Sequence, residues 1–298
     1  MNLARYCFLT KNEGGVNCGR GCGVCQGVRP VLPSPRMSTL SVNSAQIFYQ
    51  EAGDGDPLLM LHGLGSSGDD WWFQTPAFAP HFRLIIPNLR GHKQSSPLRG
   101  PISIDMLAAD VAQLLDALEI ARSHVLGLSL GGAVAQLLAI HFPAKVNKLI
   151  LVNTFAHLWP ASPGEAYTLA RRVVVSKCLP PETTAKVVAR DLFPRPDQAA
   201  LRDEVLSRIG VNDVASYRYL VDAIRRFDSR AQLDRIAAST LLITGDRDAV
   251  VPRGCQQQLA RGIRKVQWHI VRDSGHATPV DQPEEFNRVV LEFLKDKG

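Results

Sequence analysis

From Met37 onward the chain alternates short, continuous apolar runs with stretches of helical period, and that alternation most limits what it can fold into. Residues 46–52 alternate apolar and polar side chains, and Asp54-Gly55 follows as a turn signal. Residues 58–61 and 82–86 are apolar without a break, which fits strands covered on both faces. Ile104, Leu107, Ala108, Val111, Leu114, Leu115 and Leu118 repeat at the spacing of one helix face, and Ser103 stands where an N-cap belongs. The order then runs strand 124–128, helix 130–142 and strand 146–152. Later come strand 240–244, helix 255–263, strand 266–271 and helix 283–294. Apolar strands separated by helices predict an α/β fold whose mostly parallel sheet is flanked by helices.

Between Phe155 and Asp234 the pattern changes. No good strand signal occurs, and helical stretches are punctuated by Pro160, Pro163, Pro180-Pro181, Pro194 and Pro196. The reading is a core built from residues 37–156 and 235–298, interrupted by a helical cap over 157–234. Such an insertion falls where a lid over the carboxyl ends of the strands would sit, and open α/β sheets bind ligands there.

The 298 residues allow one large domain, or a core with an insertion. Apolar residues make up 45% and charged residues 21%, an ordinary globular balance. No apolar run approaches the ~18 residues of a membrane span. The net charge of +6 is concentrated at the start, where residues 1–36 hold five basic groups and one acid. The remainder carries 29 basic and 27 acidic residues with no basic run, so neither nucleic acid nor a membrane is an expected partner. Four of the six cysteines also lie in this leader, leaving Cys178 and Cys255 in the body. Two isolated cysteines form no disulfide framework, so a reducing, cytoplasmic location is expected.

Within the leader, Cys18, Cys22 and Cys25 form C-x3-C-x2-C, a spacing that can hold an iron–sulfur cluster and resembles the radical-SAM signature. That family needs a (β/α) barrel after the cluster, whereas here the surroundings are rich in glycine and proline and lack periodicity. The favoured reading of residues 1–36 is a disordered leader, or upstream sequence ahead of a start at Met37. A transit-like segment and a metal site are the alternatives.

Gly127-Leu128-Ser129-Leu130-Gly131 matches G-x-S-x-G between an expected strand and an expected helix. A serine on a sharp strand-to-helix turn needs small residues on either side, and the two glycines provide them. A serine hydroxyl is a weak nucleophile until a base takes its proton, and the base must itself be oriented by an acid. His276, in Asp273-Ser274-Gly275-His276 after the last strand, is the candidate base; His81, His92, His141 and His269 read as surface or packing residues. For the acid, Gly245-Asp246-Arg247-Asp248 offers two carboxylates. The G-x-x-D-x-x-x-P spacing to Pro252 favours Asp248, with Asp246 capping the turn. Asn153-Thr154, at the end of the earlier strand, cannot supply an anion. Backbone N–H groups of Leu130 and of Leu64, in His62-Gly63-Leu64-Gly65, are the candidate oxyanion donors.

Together these residues resemble the α/β-hydrolase superfamily from about Ser41 to Leu294. The resemblance implies an eight-stranded, mostly parallel sheet with a helical cap, and catalysis without cofactor or metal. Arg90-Gly91-His92 with Ser95, and Pro283 with Phe286, also match. The usual D-x-R-G-x-G-x-S turn departs here at Asn88 and Lys93, which puts the local turn geometry in question. Serine at 129 argues against dehalogenases and epoxide hydrolases, whose nucleophile is an aspartate. The chain is most similar to 3-oxoadipate enol-lactonases, small carboxylesterases and meta-cleavage C–C hydrolases. A small-molecule ester or lactone is the expected substrate, with C–C cleavage or a non-catalytic ligand receptor as the alternatives. The 13 basic residues of segment 157–235 are more simply read as solvating helix faces than as recognising a carboxylate.

Overall fold

The computed structural model describes residues 35–160, 162–193, 195–208 and 213–296. All described residues belong to one compact unit. The C-x3-C-x2-C cluster lies outside the described residues.

Eight strands form one sheet: β1 (Arg36–Val42), β2 (Ala45–Ala52), β3 (Asp56–Leu61), β4 (Phe82–Pro87), β5 (Ser123–Leu128), β6 (Val146–Val152), β7 (Ser239–Gly245) and β8 (Val266–Val271). Their spatial order is β1-β2-β4-β3-β5-β6-β7-β8. β2 runs antiparallel to both β1 and β4, and the pairings from β4 through β8 are parallel. The helices are α1 (Thr75–Phe78), α2 (Ile104–Ala117), α3 (Leu130–His141), α4 (Pro163–Cys178), α5 (Pro181–Leu192), α6 (Ala199–Arg208), α7 (Val214–Arg226), α8 (Arg253–Gly262), α9 (Thr278–Asp281) and α10 (Pro283–Lys295).

The unbroken apolar strands have a direct structural counterpart. Along β3, Leu59 and Leu61 join the core under α2, α3 and α8, whereas Leu58 and Met60 join the opposite core with Phe78 and with Phe286 and Val290 of α10. Successive side chains of a strand point to opposite faces, so a sheet buried on both sides needs apolar residues at every position. Ser103 caps α2 by accepting a hydrogen bond from Met106 N at 3.3 Å.

Between β6 and β7 the described residues contain four α-helices, α4 to α7, and one isolated bridge, His157 with Asp228. α7 is anchored in the main core through Leu220, Ala223 and Ile224. Its Ser216 hydroxyl accepts a hydrogen bond from Leu98 N at 2.7 Å. Phe193, at the end of α5, packs with Val205 of α6 and with Ala277 and Val280 beside the β8 loop. Arginines of this segment meet nearby acids: Arg171 with Asp191, Arg225 with Asp222, Arg230 with Asp228. No helix among the described residues is long and apolar enough to cross a membrane.

The Asn88–Ser95 turn closes despite its unusual sequence. Asn88 accepts from Gly68 N at 2.8 Å and donates to Gln94 at 2.7 Å, and the Ser95 hydroxyl donates to the Asn88 carbonyl at 2.6 Å. Lys93 takes a positive φ of 41° where the family shows glycine. Its ammonium pairs with Asp69 at 3.1 Å.

Candidate active site

Ser129 stands between β5 and α3 with φ 54° and ψ −114°, a region L-residues seldom occupy. Its neighbours hold it there: Ser129 N donates to Val152 O at 2.9 Å, and the Thr154 hydroxyl donates to Ser129 O at 2.7 Å. The flanking glycines are needed for close approach. A Cβ on Gly127 would strike the Gly131 carbonyl, and one on Gly131 would strike the Leu61 carbonyl. The elbow is therefore wedged against the end of β3, next to the His62–Gly65 loop.

His276 follows β8, and its Nδ1 lies 3.1 and 3.0 Å from the two carboxylate oxygens of Asp248. The side chains of His276 and Asp248 are 7% and 2% exposed. Asp248 also accepts from the backbone N–H of Val250 and Val251 at 2.8 and 3.0 Å, and from Gln256 Nε2 at 3.3 Å. Gln256 is itself fixed by Thr244 at 2.6 Å, and Thr244 by Trp268 at 2.8 Å. The carboxylate thus faces donors on several sides. Asp246 points elsewhere and accepts from Ser274 N at 3.3 Å.

Ser129, His276 and Leu64 line one cavity of about 570 Å³, whose other walls come from the β3 loop and from α4, α5, α6 and α7. Leu130, fully buried, opens α3, so its N–H belongs to the first turn, where backbone donors have no intrahelical partner.

Three buried residues hold these loops together; the sequence marks His92 only as a surface or packing residue and gives Asn153 and His62 no bonding role. Asn153, at φ 43° just after β6, donates to the carbonyls of Gly275 and His276 at 3.2 and 2.7 Å and to the Thr278 hydroxyl at 2.7 Å. Its Oδ1 accepts from Gly245 N at 2.8 Å, so one carboxamide ties the end of β6 to the loops after β7 and β8. His62 and His92 do the same for the loop after β3. Leu89 N donates to His62 Nε2 at 3.0 Å, and Gly65 N donates to His92 Nε2 at 3.2 Å. Each ring must then carry its proton on Nδ1, which meets the Gly63 carbonyl at 2.8 Å and the Leu89 carbonyl at 3.2 Å respectively. Burial holds both neutral, lowering His62 well below the ordinary range and His92 to about 4. Among the described residues no group of three or more His, Cys, Asp or Glu side chains is placed to share a metal ion.

Comparison with known proteins places this architecture. The family model for the alpha/beta hydrolase fold matches residues 56–283. The chain belongs to the α/β-hydrolase fold family. Among relatives of this family, RutD of Variovorax paradoxus (strain S110), a carbamate hydrolase by name, is 35% identical over 81% of this chain and 92% of its own length. The 3-oxoadipate enol-lactonase 2 of Acinetobacter baylyi (strain ATCC 33305 / BD413 / ADP1) is 30% identical over 86% of this chain and 96% of its own. The crystal structure of a hydrolase from Pseudomonas aeruginosa PA01 superimposes with a TM-score of 0.79 at 32% identity, covering 87% of this chain and 98% of that one. This α/β-hydrolase therefore shares nearly the full length of proteins named as hydrolases, and its eight-stranded, mostly parallel sheet is the family's fold.

Proposed function

We propose that the protein is a serine hydrolase of small carboxylic esters or lactones, with Ser129, His276 and Asp248 as its catalytic residues. The observation that carries this reading is that a serine on a strained elbow and a histidine held by a buried aspartate open into one cavity. In the proposed reaction His276 Nε2 takes the Ser129 proton as Oγ attacks the substrate carbonyl, and Asp248 orients the ring through Nδ1–H and stabilises the imidazolium. The oxyanion is held by the N–H groups of Leu64 and Leu130. Collapse expels the alcohol, protonated by His276, and leaves an acyl-Ser129 ester. Water, activated by the same histidine, then releases the acid. No step calls for a cofactor.

Residues 157–234 act as a cap over this site in the same reading, since helices of that segment supply much of the cavity wall. The cavity volume is at the scale of small-molecule sites. Mixing the protein with p-nitrophenyl butyrate should release p-nitrophenol in a burst equimolar with enzyme, and the trapped mass increase should map to Ser129. Binding without turnover would instead indicate a receptor. Cleavage of a vinylogous 1,5-diketone with negligible esterase activity would indicate a C–C hydrolase.

A further inference from the structure

The cavity wall holds an ionisable side chain that the acyl-transfer scheme leaves unused. Asp70 stands six residues after Leu64 in the loop beyond β3, and it lines the cavity together with Ser129 and His276. Its carboxyl accepts a hydrogen bond from the Ser66 hydroxyl, a neutral group of the same loop. The adjacent Asp69 is satisfied differently: it accepts from Gln50 Nε2, and from Lys93 Nζ at 3.1 Å. Burial pushes the Asp70 carboxyl above the ordinary carboxylate range, while the Ser66 hydrogen bond and the Lys93 charge pull it back. The cavity's other carboxylates are placed differently. Asp191 is paired with Arg171, and Glu182 lies exposed on α5.

We infer that Asp70, held by Ser66, is a recognition point for a hydrogen-bond-donating nitrogen of the substrate, an ammonium group above all. The inference rests on the cavity being the substrate site. A carboxyl in a largely apolar wall interacts with a cationic donor far more strongly than it would in water, because little solvent screens the pair. A carboxylate ligand would bring like charge to the same place, and of the cationic lining residues Arg225 pairs with Asp222 while Lys186 lies exposed on α5. An acyl or alcohol portion bearing an amine is therefore favoured over one bearing an acid.

Calorimetric titration of the full chain with butylammonium and with butyrate separates these cases without requiring turnover. Wild-type protein should bind butylammonium at least about tenfold tighter than butyrate, the scale of one charge-assisted hydrogen bond. Asp70→Asn should bring the two within about threefold, because the amide keeps the shape and loses the charge. Butyrate binding as tightly as butylammonium, undetectable butylammonium binding, or an unchanged ratio in Asp70→Asn would each overturn the assignment. If Asp70→Asn does not fold, the wild-type ratio decides alone. An ammonium preference in a protein that never forms the acyl-enzyme would keep the recognition site and reject the hydrolytic reading. The reverse result would keep the hydrolase and reject the role of Asp70.

Discussion

Ser129 sits in a backbone conformation that costs a serine roughly 1–3 kcal/mol, and it is kept there by its N–H donating to Val152 O and its carbonyl accepting from the Thr154 hydroxyl and Ala133 N. If the strain serves to present Oγ to the cavity, Ser129→Ala should lower kcat/KM for p-nitrophenyl butyrate by at least ~10³ while leaving the melting temperature close to wild type. Activity retained in that variant contradicts the proposed nucleophile. Asp248→Asn should cost about 10³–10⁴, because an amide cannot hold the histidine in the required tautomer, whereas Asp246→Asn should cost far less. The opposite ranking in steady-state assays would exchange their roles. Asn153→Ala removes one carboxamide and leaves buried N–H and C=O groups on two loops without it, so we expect a loss of at least about 2 kcal/mol in urea unfolding. These residues were legible in the sequence to different degrees. Ser129 and His276 stand beside a strand end and a glycine, and spacing alone puts them at one edge of the sheet. Asn153 reads from the sequence only as a carboxamide that cannot be the acid, and its bonds span more than 90 residues of chain, where no local pattern records them.

At the scale of elements, sequence and structure agree best where burial is heaviest. β3 to β7 are built round apolar runs because both faces of the sheet are covered there, whereas in the edge strand β8 only Val271 is buried; the expected limits of β3 to β8 fall within two residues of those observed. β1 gave no signal for the converse reason: of its seven residues only Val42 is buried, so nothing in Arg36 to Ser41 had to be apolar. It starts at Arg36, the last residue of the segment set aside as a leader. Between β6 and β7 the helices differ in how they are held. α7 packs into the main core, whereas α4 exposes Tyr167 at 71% and Val174 at 57%. Fewer buried contacts mean a smaller opening free energy. Hydrogen exchange followed by mass spectrometry should therefore show α4 amides exchanging well before those of α7. Equal protection would mean that these helices open as one unit.

For the molecule as a whole, the neutral histidines set a direction for stability against pH. His62, His92 and His124 are all depressed in the folded state, chiefly by burial, with His92 at about 4. In the unfolded chain a histidine takes up its proton near pH 6.5. On acidification the unfolded state thus binds protons that the native state refuses, and stability falls by up to about 1.4 kcal/mol per pH unit for each histidine in that interval. Their contribution is complete above about pH 6.5 and is lost as pH falls toward about 4. Asp70 and Asp110 act in the opposite sense, because burial raises both, and a raised carboxyl adds stability as it protonates. His62, lowered well below its ordinary range, and His92, lowered to about 4, act across the whole interval, so the expected net change from pH 6.5 down to pH 4.5 is a loss. Urea midpoints measured at pH 7, 5.5 and 4.5 should fall in that order. His92→Gln, which removes one titrating ring but leaves an acceptor for Gly65 N, should flatten the decline. Midpoints that hold steady or rise on acidification would mean that the two rings bracing the Leu64 loop are not kept neutral by the fold.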